Sequence, residues 1–511
     1  MAKVNLDALI PRADFYIDTD DSPALSLGDK VKANELVKGD SFFYSSLRKP
    51  DFQRETGDWD KEKIYSFVKS FIDGDLIPSI ILWQSGSHIF VIDGAHRLSA
   101  LIAWVNDDYG DGFISQPFFN HDIDQEQQKF ADQTRELINK RIGSYQSYIN
   151  TIKNQESSDP LKLRIANKLG FISLQIQWVA GGAEKAESSF FTINQKATPI
   201  NETEISLLKA RKKPHALSSR AIIRSGTGHN YWKKFDQGTQ ERIQSLAKQI
   251  NEAMFTPVLK NPIKTLDLPL AGKNYSSNSL SLIFDVVKIA NSISIDHVGD
   301  DDITGEKTVH HLLNTWKVIK RLTTTDHGSL GLHPALYFYS EKGRYQPTAL
   351  MAWMEIVKEL ESTKKFNTFT EKRSKLERIL LKYKNLTNQI TNKYGSGIKS
   401  YKHLIELYKL FMDNHNVEDS ALEEKIRSSY PFLNLEYKGD AITNPDFSTN
   451  TKSETFINNV LPNSKKCSIC NGYIHVNSIT VDHITRKEEG GLGDPKNGAL
   501  AHPYCNTTYK N

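Results

Sequence analysis

Cysteine is almost absent from this chain of 511 residues. There are three, Cys467, Cys470 and Cys505, all close to the C-terminal end. An odd, clustered set in a chain with no secretory features argues against a disulfide framework and for a metal. Long apolar runs are also missing. No stretch approaches the roughly 20 apolar residues that span a bilayer, so no membrane span is expected. The N-terminal segment MAKVNLDALIPRADFYIDTDD lacks the apolar core of a signal peptide, and a cytoplasmic location is expected. There is no strong excess of charge: 65 Lys and Arg stand against 61 Asp and Glu, a net +4, which neither demands nor excludes nucleic acid. With 38% hydrophobic and 25% charged residues, a disordered chain is excluded. No internal repeat is visible.

The length implies several domains, at roughly 100–200 residues each. The pattern divides the chain into residues 1–215, 216–450 and 451–511. Residues 1–35 read as an irregular lead-in. Ser79–Trp83 and His88–Ile92 are short β-branched runs of strand length, and Phe171–Val179 alternates apolar and polar. Ile64, Phe67, Val68 and Phe71 recur at helical spacing, and residues 124–155 read as a long polar helix or helix pair. Helical periodicity dominates the middle, over Glu241–Met254, Leu280–Ile289, Val309–Leu322, Leu350–Leu360, Leu376–Ile390 and Leu404–Met412. The basic stretch Lys372–Lys402 reads either as a solvated helix face or as a surface for DNA. Residues 438–456 read as a linker. The expected fold class is α+β and multidomain, with a mostly α-helical middle.

The C-terminal segment carries the densest chemistry. Cys467-Ser-Ile-Cys470 and His502-Pro-Tyr-Cys505 repeat one spacing, and together offer three sulfurs and an imidazole. That set suits a tetrahedral structural Zn2+, which would let a segment with few apolar residues fold. His502 could instead serve a catalytic metal, but its spacing to Cys505 copies the first knuckle. Between the halves lie Asp482-His483, Gly490-Gly491, Asn497 and Leu500, and Asn506 follows Cys505. This order resembles the HNH endonucleases, whose ββα-metal motif surrounds one divalent ion. The resemblance implies His483 as the base, Asp482 and Asn506 as ligands of a catalytic Mg2+ or Mn2+, and Asn497 as the residue that holds the loop and orients His483. A carboxylate and an amide oxygen suit such hard cations.

The N-terminal part holds a second constellation. Phe90-Val-Ile-Asp-Gly-Ala-His-Arg-Leu reads as a strand, a glycine turn and a helix start. Gly94 permits close backbone approach, the helix start attracts anions, and Arg97 is either a fork for phosphate or a structural salt-bridge partner. Phe52-Gln53-Arg54 precedes it, and Phe190-Phe-Thr-Ile-Asn194 follows. Together these resemble the ParB/sulfiredoxin-like domain of GmrSD restriction proteins over about residues 40–210. Phe52 stands where that family has tyrosine, and Ala95-His96 where it has two glutamines. The resemblance implies that Gln53, Arg54, Asp93, Gly94, His96, Arg97 and Asn194 line a pocket for a nucleoside triphosphate.

The layout thus resembles GmrSD/SspE-like type IV restriction proteins. It implies an anti-phage endonuclease that cuts double-stranded, modified phage DNA, as a monomer or homo-oligomer, under nucleotide control. Two alternatives stand beside it: an HNH nuclease without nucleotide dependence, and a ParB-like DNA-binding regulator with a structural zinc tail.

Overall fold

A computed structural model describes residues 4–13, 15, 28–50, 53, 56–57, 59–119, 121, 123, 125–155, 159–197, 206–207, 209–227, 231–274, 279–293, 299–436 and 445–510; for residues 191 and 194–197 it describes the backbone alone. The architecture is α+β. Two compact units form, one from Met1–Arg211 with Thr227–Tyr231, the other from Lys212–Gly226 with Trp232–Asn511.

The first unit is built on a mixed sheet. Its strands are β1 (Arg12–Ala13), β2 (Lys30–Lys32), β3 (Leu47–Pro50), β4 (Ile80–Ser85), β5 (His88–Asp93) and β6 (Ser173–Trp178), in the order β1-β3-β5-β4-β6-β2. β4 and β5 form an antiparallel hairpin, while β3–β5 and β4–β6 are parallel. The apolar run of β5 is continuous because both its faces are covered. Ile89 and Val91 join a core with Leu47, Ile64, Val68, Leu82, Leu98 and Trp104. Phe90 and Ile92 face a smaller cluster with Phe15, Trp83, Ala186 and Phe190.

The helix Lys61–Asp73 packs Ile64, Val68, Phe71 and Ile72 inward, a spacing that makes one apolar stripe. Asp60 caps its start by accepting from Lys63 N (2.9 Å), and Gly74 ends it in the left-handed region (φ 79°). The described residues of the lead-in, 4–13, 15 and 28–35, are not all irregular. It supplies β1 and β2, and buries Val4, Leu6, Leu9 and Ile10. It also places Asp7 inside, where one carboxylate oxygen accepts from Arg12 (2.8 Å), Lys49 (2.6 Å) and Thr56 N (3.1 Å). Alternation in strands this short gives too weak a pattern to be read.

The second unit is a helical assembly that includes the C-terminal hairpin. The helices Gln237–Phe255, Ser279–Ala290, Glu306–Leu322, Pro347–Ser362 and Tyr401–Asp413 occupy the periodic segments. Leu376–Ile390 is not one helix but parts of two, Phe366–Lys382 and Leu386–Tyr394. The break lets Lys384 turn inward and donate to the Ala335 carbonyl. Nor is 438–456 all linker. Ser448 caps a helix, Thr449–Val460, by accepting from Thr451 N (3.1 Å), and Ile457 is buried.

The basic stretch is largely engaged by the chain itself. Lys382 pairs with Asp419 (2.9 Å) and Glu423 (3.2 Å) on the helix Asp419–Ser429, Lys375 donates to Asn416 (2.6 Å), and Arg373 is buried.

Candidate active site and metal centre

The C-terminal site grows from two tight turns. In the first, Cys467 N donates to the Gly472 carbonyl (2.8 Å) and Asn471 N to the Cys467 carbonyl (2.9 Å). Asn471 adopts φ 55°, which asparagine tolerates better than most residues. The second follows the strand Gly498–Ala501 (β8), which pairs antiparallel with Thr480–His483 (β7). Leu500 O accepts from Ser468 N (2.9 Å), and so joins the hairpin to the first turn.

These turns bring Cys467, Cys470, His502 and Cys505 together, all buried, with their ligand atoms within 4.8 Å of one another. Tetrahedral zinc, at about 2.3 Å from sulfur, requires donors roughly 3.8 Å apart, so the set fits that ion. The imidazole is oriented for it. His502 Nε2 lies 3.0 Å from the Tyr473 carbonyl, which can only accept, so Nε2 carries the proton and Nδ1 faces Cys470 (3.3 Å) and Cys505 (3.8 Å). Burial, helped by Arg373, lowers the His502 pKa and keeps the ring neutral. The thiols of Cys470 and Cys505 donate toward Cys467 and pull its pKa down. The same contacts push Cys470 up to about 11 and Cys505 higher still. One thiolate held by two thiols is a set in which a metal ion would replace protons.

A buried ion pair grips this cluster from the helix Phe366–Lys382. Arg373 Nε bonds Glu377 Oε1 (2.7 Å), its Nη1 donates to Leu330 O and lies 3.3 Å from His502 Nδ1, and its Nη2 donates to Gly331 O (2.8 Å). Glu377 Oε2 accepts from Tyr473 N (2.7 Å), and Oε1 from the Tyr337 hydroxyl (2.9 Å). A Cβ at Gly472 would stand 2.5 Å from Arg373 Nε, so only glycine allows this approach.

Beside the cluster, β7 presents Asp482 and His483. Asp482 is 7% exposed, and its Oδ2 bonds Lys510 Nζ at 2.7 Å. Lys510 Nζ also donates to the His483 carbonyl (2.6 Å). Asn506 lies against the same strand, with Nδ2 3.3 Å from both Thr480 Oγ1 and Val481 O. His483 is half-buried at the end of β7, and among the described residues no group hydrogen-bonds its ring. Asn497 clamps the intervening loop. Its Oδ1 accepts from Thr485 N (2.7 Å), and its Nδ2 donates to Thr485 O (3.1 Å) and Leu492 O (2.8 Å). A Cβ on Gly491 would run into the Thr485 carbonyl, which explains the glycine.

In the first unit, Asp93, Gly94, His96 and Arg97 meet where β5 runs into the helix Ala95–Asn106. Gly94 has φ 94°, and a side chain there would strike Ile80 at 2.5 Å. Arg97 Nη2 pairs with Asp93 Oδ2 (2.5 Å), and Nη1 donates to Pro78 O (2.5 Å) and Ser79 O (3.3 Å). His96 stacks on Trp59, with ring centroids 5.8 Å apart. Gln53 is buried, and its Oε1 has no hydrogen-bond partner among the described residues. Arg54 and the side chain of Asn194 lie outside the described residues.

Sequence reasoning missed Lys510, Arg373 and Glu377. Lys510 was findable as the residue one helical turn beyond Asn506. Arg373 and Glu377 share the i,i+4 spacing of an ion pair, but nothing local marks them as buried.

Residues 467–511 match the HNH endonuclease family, so this segment is a nuclease domain that hydrolyses phosphodiesters. Residues 34–211 match the GmrSD restriction endonuclease, N-terminal domain. Together the two matches are those of a GmrSD-like type IV restriction enzyme. No curated protein and no solved structure matches the chain. Among the described residues no helix is long and apolar enough to cross a membrane.

Proposed function

We propose that the chain is a metal-dependent HNH endonuclease that cuts modified phage DNA, with residues 1–215 as the sensor, 216–450 as the connecting helical part and 451–511 as the nuclease. The observation that carries this reading is the packing of Asp482, His483 and Asn506 along β7 beside the four-ligand cluster. Zn2+ held by Cys467, Cys470, His502 and Cys505 would fix the second turn, and with it Asn506, against the hairpin. A Mg2+ or Mn2+ held by Asp482 and Asn506 would stabilise charge on the scissile phosphate and the leaving oxygen. A ring nitrogen of His483 takes a proton from the attacking water. The water oxygen bonds to phosphorus as the P–O bond to the departing strand breaks, and that oxygen leaves with a proton from solvent. Asn497 keeps the loop after His483 closed, so that the base stays at the strand end.

A nucleoside triphosphate at the Asp93–Arg97 junction, reached by Gln53, Arg54 and Asn194, would gate cutting. One observation favours the second reading, a nuclease without nucleotide control: both Nη atoms of Arg97 are already engaged by Asp93 and two carbonyls. The test is cleavage by the parent and by His483→Ala of modified phage DNA and unmodified plasmid, with Mg2+ or Mn2+, with and without each nucleoside triphosphate. Cutting by the parent alone supports the nuclease, and a dependence on nucleotide decides between the two readings. Cleavage retained in His483→Ala would remove the base assignment. An inert parent that still binds DNA would point to a ParB-like regulator.

A further inference from the structure

Asp482 already holds a cation. Its Oδ2 bonds the Lys510 ammonium at 2.7 Å, with both side chains mostly out of solvent, 9% and 23% exposed. The ammonium is not placed there by chance of a flexible tail. Lys510 N donates to the Cys505 carbonyl (3.1 Å), closing a π-helical turn over Cys505–Tyr509. Such wide single turns re-aim side chains, and they recur at functional sites. Here the turn begins at a buried metal-cluster cysteine and lays Asn506 and Lys510 along one strand. Asn506 meets Thr480 and Val481, and Lys510 meets Asp482 and the His483 carbonyl. The Lys510 backbone is fixed in turn, since its carbonyl accepts from Arg486 (2.9 Å).

We propose that Lys510 is a further functional residue of the nuclease site: its ammonium is the resident cation of Asp482, yields that carboxylate to the divalent ion, and then donates to a non-bridging oxygen of the scissile phosphodiester. The inference rests on the reading of Asp482 as a metal ligand. A divalent ion held by Oδ2 would compete with the ammonium for that oxygen, since both cations draw on the same lone pairs. Displaced, the ammonium remains tethered next to His483, where an anionic phosphate must come to be hydrolysed. It is then a point charge free to bind phosphate oxygen. Before metal arrives it neutralises a carboxylate that would otherwise repel DNA.

The test measures Mn2+ affinity by electron paramagnetic resonance on the full-length, zinc-loaded chain, alongside single-turnover cleavage at saturating Mn2+. Lys510→Gln should bind Mn2+ about three- to tenfold more tightly, because the competing charge is gone, while cleavage falls by at least about tenfold. Lys510→Arg should recover part of the cleavage. Unchanged or weaker Mn2+ binding in Lys510→Gln, or undiminished cleavage, would overturn the proposal. Zinc content equal to the parent's shows that the variant is folded. Asp482→Asn separates the two layers. Its loss of Mn2+ binding supports the metal site on which the proposal stands, and parental binding in Asp482→Asn would overturn that site itself.

Discussion

Replacing Arg373 with methionine should loosen the C-terminal cluster from a distance. The guanidinium and the Glu377 carboxylate are 1% and 2% exposed, so water screens neither. Removing the cation leaves a buried carboxylate with, among the described residues, two neutral donors, the Tyr337 hydroxyl and Tyr473 N. It also strips a donor from the carbonyls of Leu330 and Gly331. Breaking one side of a buried pair costs about 3–5 kcal/mol. Because Tyr473 N and His502 lie within this network, the loss should appear as faster zinc release as well as lower stability. Urea unfolding of the full chain, followed by tryptophan fluorescence and by a chromophoric zinc chelator, reads both. Glu377→Gln keeps the oxygen that Tyr473 N needs but loses the charge, and should cost about as much. The Arg373→Met/Glu377→Gln double variant should cost less than the sum of the singles by at least about 2 kcal/mol. Single variants that lose under about 1 kcal/mol and keep their zinc, or strictly additive losses, would refute the view that this pair clamps the cluster.

Cys467→Ser removes the sulfur toward which both other thiols point. Metal content, measured by elemental analysis, should fall from one zinc per chain to none, and residues 461–510 should become sensitive to protease; a protected, metal-free tail would contradict this. The second unit should also weaken in acid. Burial holds His215 and His475 at about 4, against 6.5 for a free imidazole, and also lowers His333 well below that ordinary value. The unfolded chain therefore takes up protons first as pH falls. Stability that is complete above about pH 6.5 is lost progressively toward pH 4, by roughly 3 kcal/mol for each of His215 and His475. Denaturant midpoints across that range check the sign, and a flat profile would mean that these rings are solvated.

Local signals were legible, and long-range ones were not. The sheet hairpin and the long helices could be read because each repeats a period within its own residues. The four cluster residues could be singled out because two turns of equal spacing are visible in a linear string. The edge strands Arg12–Ala13 and Lys30–Lys32 could not, since two or three residues carry no period. The helix Thr449–Val460 was hidden because its polar composition reads as linker, while the burial of Ile457 depends on the surrounding fold. Arg97 was legible as chemistry but not as geometry. A guanidinium after a glycine turn suits phosphate, yet its choice of Asp93 and the Pro78 and Ser79 carbonyls is set by how β4 enters the sheet.

Arg373 and Lys510 show why the cations of this site are hard to read from the sequence. A carboxylate, thiol or imidazole in a tight motif announces itself by its neighbours in sequence. Arg373 lies 129 positions from His502, and Lys510 lies 28 from Asp482. Both reach polar groups that the motif leaves with charge to be balanced. Three cysteines and a histidine around a divalent ion would carry net negative charge once the thiols ionise, and Asp482 adds another carboxylate nearby. Burying that charge beside a thin apolar core is costly unless cations are supplied from beyond the ligands themselves. Arg373 supplies one from the helical part and Lys510 supplies one from the terminal turn. The four-ligand cluster is therefore electrostatically incomplete by itself, and Arg373 ties it to the helix Phe366–Lys382 within the second unit.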